Sequence, residues 1–140
     1  FHDYQIAYSS RDTPNLRVFR EQIEAYKAML FAAPPDEAQR KDIDFLLAGG
    51  EIFALVVYGQ LILENAKIYD VSDDLVDQIF DFMVRDFSRH ALSLHSKPTS
   101  NDTQMAACMK MIRKPVFDKK RYQRVWEEVH ALRDEYEMNP

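Results

Sequence analysis

From Glu51 to Lys67 the chain reads EIFALVVYGQLILENAK, and Ile52 to Leu63 carries no charge. That run falls short of the roughly 20 apolar residues a membrane-spanning helix needs, yet it is too apolar all round for a helix that shows one face to water. Such a segment has to be surrounded by protein, as the central element of a bundle or of a subunit interface. Leu55, Val56, Leu61 and Ile62 are the candidate packing-interface residues, and Leu63 joins them in the helix expected to be most buried.

Working back from this run, Gly49-Gly50 costs about 2 kcal/mol of helix propensity relative to alanine, which predicts a kink or very close packing. We read the helix as kinked there and as starting near Asp36, with Gln39 completing a capping box and Ile43, Leu46 and Leu47 on its apolar side. Thr13-Pro14 opens an earlier helix whose stripe is Leu16, Phe19, Ile23, Tyr26 and Leu30, ending before Pro34-Pro35. Forward of the run, Ser72 caps a helix with Asp73, Asp74 and Asp77 at its start. Its wide apolar face runs from Leu75 to Leu94, and Arg85, Arg89, His90 and His95 lie toward its end. The segment from Ser96 to Thr103 is a loop. A short helix follows, with Met105, Cys108, Met109 and Ile112 on one side, stopped at Pro115. A last helix starts near Asp118 with Tyr122, Val125, Trp126, Val129, Leu132 and Tyr136 facing inward. The fold class is therefore all-α, an antiparallel bundle of four to five helices forming one domain over residues 1–140.

Composition agrees. A chain of 140 residues, 46% hydrophobic and 29% charged, suits one folded domain. Three glycines are too few for the turns of a many-stranded β fold. The single cysteine, Cys108, allows no internal disulfide and no multi-cysteine zinc site, which fits a reducing, cytoplasmic location. The opening FHDYQIAYSSRD is not a signal peptide, and beginning at Phe1 rather than Met is what a piece of a longer protein would show. A net charge of -5 argues against nucleic acid as a partner. Charge is uneven, however: Lys110 to Arg124 holds seven basic residues against Asp118 alone, while Asp70 to Asp86 is acidic. The two runs read as solvated faces that pair with each other.

No constellation for chemistry emerges. Glu127-x-x-His130 has the i, i+3 spacing of di-iron carboxylate bundles, but such a site needs a second pair and two more glutamates. His90 and His95 are five apart and do not share a helix face, and His2 lies in a terminus expected to fray. Cys108 falls on a core stripe, as an inert thiol does. Gly49-Gly50 lacks the third glycine and the preceding strand of a phosphate loop. No catalytic, cofactor-binding or metal residue is assigned. The last helix breaks a local rule, since Lys119, Lys120 and Arg121 occupy its first turn and Asp134, Glu135 and Glu137 its end, against its own dipole. These three basic residues are the candidate contact for an anion or partner. The simplest internal remedy lays this helix beside the Asp73–Asp77 helix, roughly parallel to it.

The strings GEIFALVVYGQLILENAKI (50–68), DDLVDQIFDFMVRDFSRHALSLHSKP (73–98), IRKPVFDKKRYQRVWEEV (112–129) and the terminal EYEMNP resemble the C-terminal helical extension of bacterial acyl-CoA dehydrogenases. The resemblance covers the last two-thirds of the chain, and the first third only in helical pattern. It implies a parent flavoenzyme that desaturates an acyl-CoA thioester, with a glutamate base taking the α proton and FAD taking the β hydride. The segment carrying that base and the family's flavin contacts have no counterpart in this chain, so no catalytic position carries over. The implied role here is a non-catalytic domain, free of flavin itself, that packs against its own catalytic domain or within a homo-oligomer. Relatives use such extensions for subunit contacts, substrate-channel cover or membrane proximity. The alternative is a free-standing helical interaction module without enzymatic activity.

Overall fold

The structure is a computed structural model that describes residues 3–135; the expectations for His2, Tyr136 and Glu137 lie outside it. The described residues form α1 (Tyr4–Tyr8), α2 (Pro14–Ala32), a 3-10 turn at Gln39–Lys41, α3 (Ile43–Ile68), α4 (Asp73–His95), α5 (Asp102–Met111) and α6 (Lys119–Ala131). The fold is an all-helical bundle. Its hub is α4, which packs on α2, α3, α5 and α6, so the apolar run of α3 is not the central element. The reason is shape: α4 buries a wide face, Val76, Phe80, Met83, Val84, Phe87, Ala91 and Leu94, that serves several neighbours at once. Most neighbouring pairs are antiparallel, as Lys97–Asp44 and His90–Glu51 show for α3 and α4. The exception is α2 with α4, which run parallel, Asn15 meeting Asp77 and Gln22 meeting Val84.

Four rings knit the core. Phe19 is fully buried, stacks on Tyr8 at 6.0 Å between centroids, and meets Phe80 and Phe87 edge-on at 5.3 and 5.4 Å. Tyr8 comes from α1, a short helix the periodicity does not announce; its hydroxyl donates to the Val56 carbonyl at 2.7 Å. Tyr26 likewise donates to the Gly49 carbonyl at 2.9 Å. Both phenols thus tie the first third of the chain to the backbone of α3.

Helix α3 begins after Asp42, not at Asp36. The Asp42 carboxylate accepts from the N–H groups of Asp44 and Phe45 and so caps it. Asp36 and Gln39 do exchange hydrogen bonds, but around the 3-10 turn. Gln39 then pairs its amide with that of Gln104, which closes a second capping box with Asn101 at the start of α5. The two boxes lock the α2–α3 connection to α5. Gly49 and Gly50 lie inside one continuous 26-residue helix, and the tight approach is elsewhere, at Gly59. A side chain at Gly50 would meet open space, whereas one at Gly59 would overlap the Tyr8 hydroxyl. The turn into α4 places Asp70 at φ 51°, and the Val71 N–H returns to the Ala66 carbonyl at 2.9 Å, a Schellman closure. Arg11 fastens this turn through Ala66, Val71 and Asp73.

Candidate functional site

The groups capable of chemistry are scattered. Cys108 is fully buried, and burial pushes its thiol up to about 11, far from a reactive thiolate. His90 Nδ1 lies 2.8 Å from Glu51 Oε2 between α3 and α4. His130 stacks on Trp126 at 4.6 Å, while Glu127 accepts from Gln123. Among the described residues no group of three or more His, Cys, Asp or Glu side chains is placed to hold a metal ion.

Of the three basic residues at the start of α6, Lys119 and Lys120 are exposed and Arg121 is not. The Arg121 guanidinium is buried against the carboxylate of Asp77, with Asp81 at 3.5 Å, and is therefore no contact for an outside anion. Asp77 in turn accepts from the N–H of Asn15 at 2.7 Å. It thus supplies across helices the cap that Thr13, whose buried hydroxyl has no hydrogen-bond partner, does not supply to α2. Asn15 also receives the Val116 N–H at 2.7 Å. One buried polar knot thereby joins α2, α4, α6 and the segment before α6. Its signal in the sequence was the pair Asp77 and Asp81, one turn apart among Val76, Phe80 and Val84 on an apolar face.

Farther along α6, Arg124 reaches Asp74 at 2.5 and 2.8 Å and Glu128 accepts from Ser72 at 2.9 Å. The two helices do lie side by side with acidic against basic, but they run antiparallel rather than parallel. The cause is that the acidic residues of α4 extend over more than two turns, to Asp81, so basic residues pair with them in either direction. The antiparallel one also opposes the two helix dipoles. Because α4 covers only one stripe, Tyr122, Trp126, Val129 and Leu132 remain about half exposed instead of facing inward, and only Arg121 and Val125 are buried.

The largest departure is α3. Its inward stripe is Phe45, Ala48, Ile52, Val56, Gly59, Leu63 and Ala66. The opposite side is just as apolar and is left uncovered: Ile43 is 72% exposed, Leu47 62%, Tyr58 58% and Leu61 49%. Of the four candidate interface residues, Val56 is used up in this chain's own core, Leu55 and Ile62 are half-buried at its edge, and Leu61 faces out. Beside this face, α2 and the first half of α3 bound an apolar hollow of about 230 Å³ lined by Met29, Leu30, Phe45, Leu46 and Phe53. Its polar walls are spoken for, Tyr26 by Gly49 and Gln104 by Ala33 and Gln39.

With the residues before the glycine pair included, α3 is long and apolar enough by length and composition to cross a bilayer, its mean hydropathy reaching 1.8 over 18 residues. Against that role stands α4, packed along it and carrying Asp73, Asp74, Asp77, Asp81, Arg85, Asp86 and Arg89, which could not follow it into hydrocarbon without heavy cost. No family model, curated protein or solved structure matches this chain.

Proposed function

We propose that this chain is a non-catalytic helical packing domain, the C-terminal extension of an FAD-dependent acyl-CoA dehydrogenase, and that it serves subunit or domain contacts through the outer face of α3. The observation that carries the packing role is that uncovered face: an apolar stripe of this length is costly in water and is the mark of a contact surface. In further support, the polar groups with unusual settings, Asp77, Arg121, Gln39 and Gln104, are spent on holding helices together. The parent assignment rests on the resemblance of residues 50–68, 73–98 and 112–129. On this reading FAD and acyl-CoA belong to the parent's catalytic domain, the partners of this chain are that domain and a second subunit, and the location is cytoplasmic.

The test is the reading frame that encodes the chain. Its full product should be yellow and should reduce an electron acceptor with acyl-CoA, and limited proteolysis should release this chain as a colourless helical fragment. A reading frame with no flavin-binding segment before Phe1 overturns the assignment and leaves an interaction module.

A further inference from the structure

The uncovered stripe of α3 has the spacing of a coiled-coil seam. Ile43, Leu47, Gly50, Ala54, Val57, Leu61, Glu64 and Ile68 follow one another at alternating steps of four and three residues, and none of them is buried by the chain's own residues. A period of 3.5 keeps one edge of a helix against a second helix, whereas a flat surface sets no such period. The seam also has a polar border, since Asp44 is paired with Lys97 and Glu51 with His90 along the α4 side. We propose that α3 pairs with α3 of a second copy of this chain, antiparallel about a two-fold axis between Leu55 and Val56. This deepens the packing-domain reading and rests on it.

Charge selects the orientation and the register. Parallel pairing would stack Glu64 on Glu64 of the copy inside the seam, where like charges repel. An antiparallel pairing centred one half-heptad earlier, with Gly50 against Ala54, would bring Glu51 against the copy's Glu51. Centred between Leu55 and Val56, the layers are Ile43 with Ile68, Leu47 with the methylenes of Glu64, Gly50 with Leu61, and Ala54 with Val57. Glu51 then faces Tyr58, and Leu46 faces the aliphatic stem of Lys67, so no like charges meet. Gly50 makes room for Leu61, and Ala54 lets the helices approach closely at the axis. The arrangement is isologous, so it closes at two chains.

Sedimentation equilibrium and light scattering on the 140-residue chain should show a concentration-dependent species of twice the 16.5 kDa chain mass. Ala54→Glu, at a position exposed in the single chain, should be monomeric yet retain its helical circular dichroism and a cooperative melt. Mixing Gly50→Cys protein with Leu61→Cys protein should give a disulfide-linked pair that neither forms alone; Cys108, fully buried, does not compete. A chain that stays monomeric at every concentration, a dimer that survives Ala54→Glu, self-crosslinking of Gly50→Cys, or flotation of monomers with liposomes overturns the proposal. A monomer sinks self-pairing only; the domain reading is decided separately, by the reading frame.

Discussion

At the scale of single residues, glycines on one helix have opposite roles. Gly59 carries no side chain because the Tyr8 hydroxyl and the Phe19 ring occupy the space, with Tyr8 pinned to the Val56 carbonyl. Gly59→Ala should therefore destabilise the fold by about 1–3 kcal/mol, the usual cost of overpacking. Gly49→Ala meets Tyr26 only at ordinary contact distance, 3.7 Å, and should gain up to about 1 kcal/mol from helix propensity. Urea unfolding of the two variants checks both signs. Another residue-level effect is electrostatic. A hydrogen bond from Thr99, then the N–H of Phe45, hold the Asp42 carboxyl below the usual carboxylate range. Its folded value lies below its unfolded one, so its contribution to stability is present above the unfolded pKa and is lost as pH falls through the folded one. Thr99→Val should move the Asp42 pKa upward, read by carboxyl-carbon NMR titration; an unchanged value would contradict the cause.

Between elements, the decisive contact is the one α6 makes on α4. Truncating Arg121 to alanine leaves Asp77 buried without its cation, while Asp81 keeps Arg85, and a broken buried pair costs about 3–5 kcal/mol. The double change Lys119→Ala/Lys120→Ala touches exposed positions and should shift the melting temperature little, so the comparison separates the structural cation from its solvated neighbours. Equal losses from the two variants would show that the basic run acts as one surface. Arg124 holds Asp74 low by the same kind of contact, first through its hydrogen bond and then by charge. The sign is that of Asp42: the contribution of this contact to holding α6 is lost as pH falls through the folded pKa of Asp74.

For the whole molecule, the two sides of α3 should respond oppositely to the same chemistry. Val56→Asp puts an unpaired carboxylate in the core, a cost of several kcal/mol against a total stability of about 5–15 kcal/mol, and should unfold the chain. Leu61→Asp puts it on the outer face, where a single chain should keep its fold and lose self-association. Circular dichroism with light scattering on both variants makes the comparison. Cys108 gives an independent readout of global opening: fully buried, with its thiol pushed up to about 11, it should react with a disulfide reagent at neutral pH only as fast as the chain unfolds. Labelling of the native chain at the rate of free cysteine would contradict the described core.

The sequence by itself determined the helices that carry their own start signals and periodicity. Ser72 and Asp118 begin helices where their side chains cap them, α2 begins at Pro14 as expected although Asp77 rather than Thr13 caps it, and the stripe of α4 is buried as its spacing requires. Local interactions act within a few residues, so they are legible one segment at a time. Only the tertiary structure decided what covers each face. An apolar run says that a surface must be hidden but not by which neighbour, and α3 spends one stripe on its own core and leaves the other out. The partners of the knot were hidden for the same reason: Asp77 and Asp81 on an apolar face signal that a buried partner is needed, but Asn15 and Arg121 lie 62 and 44 residues from Asp77, and nothing in their own neighbourhoods points to it. The direction of α6 on α4 likewise depended on which charges came within reach, a matter of distance in space that spacing along the chain does not encode.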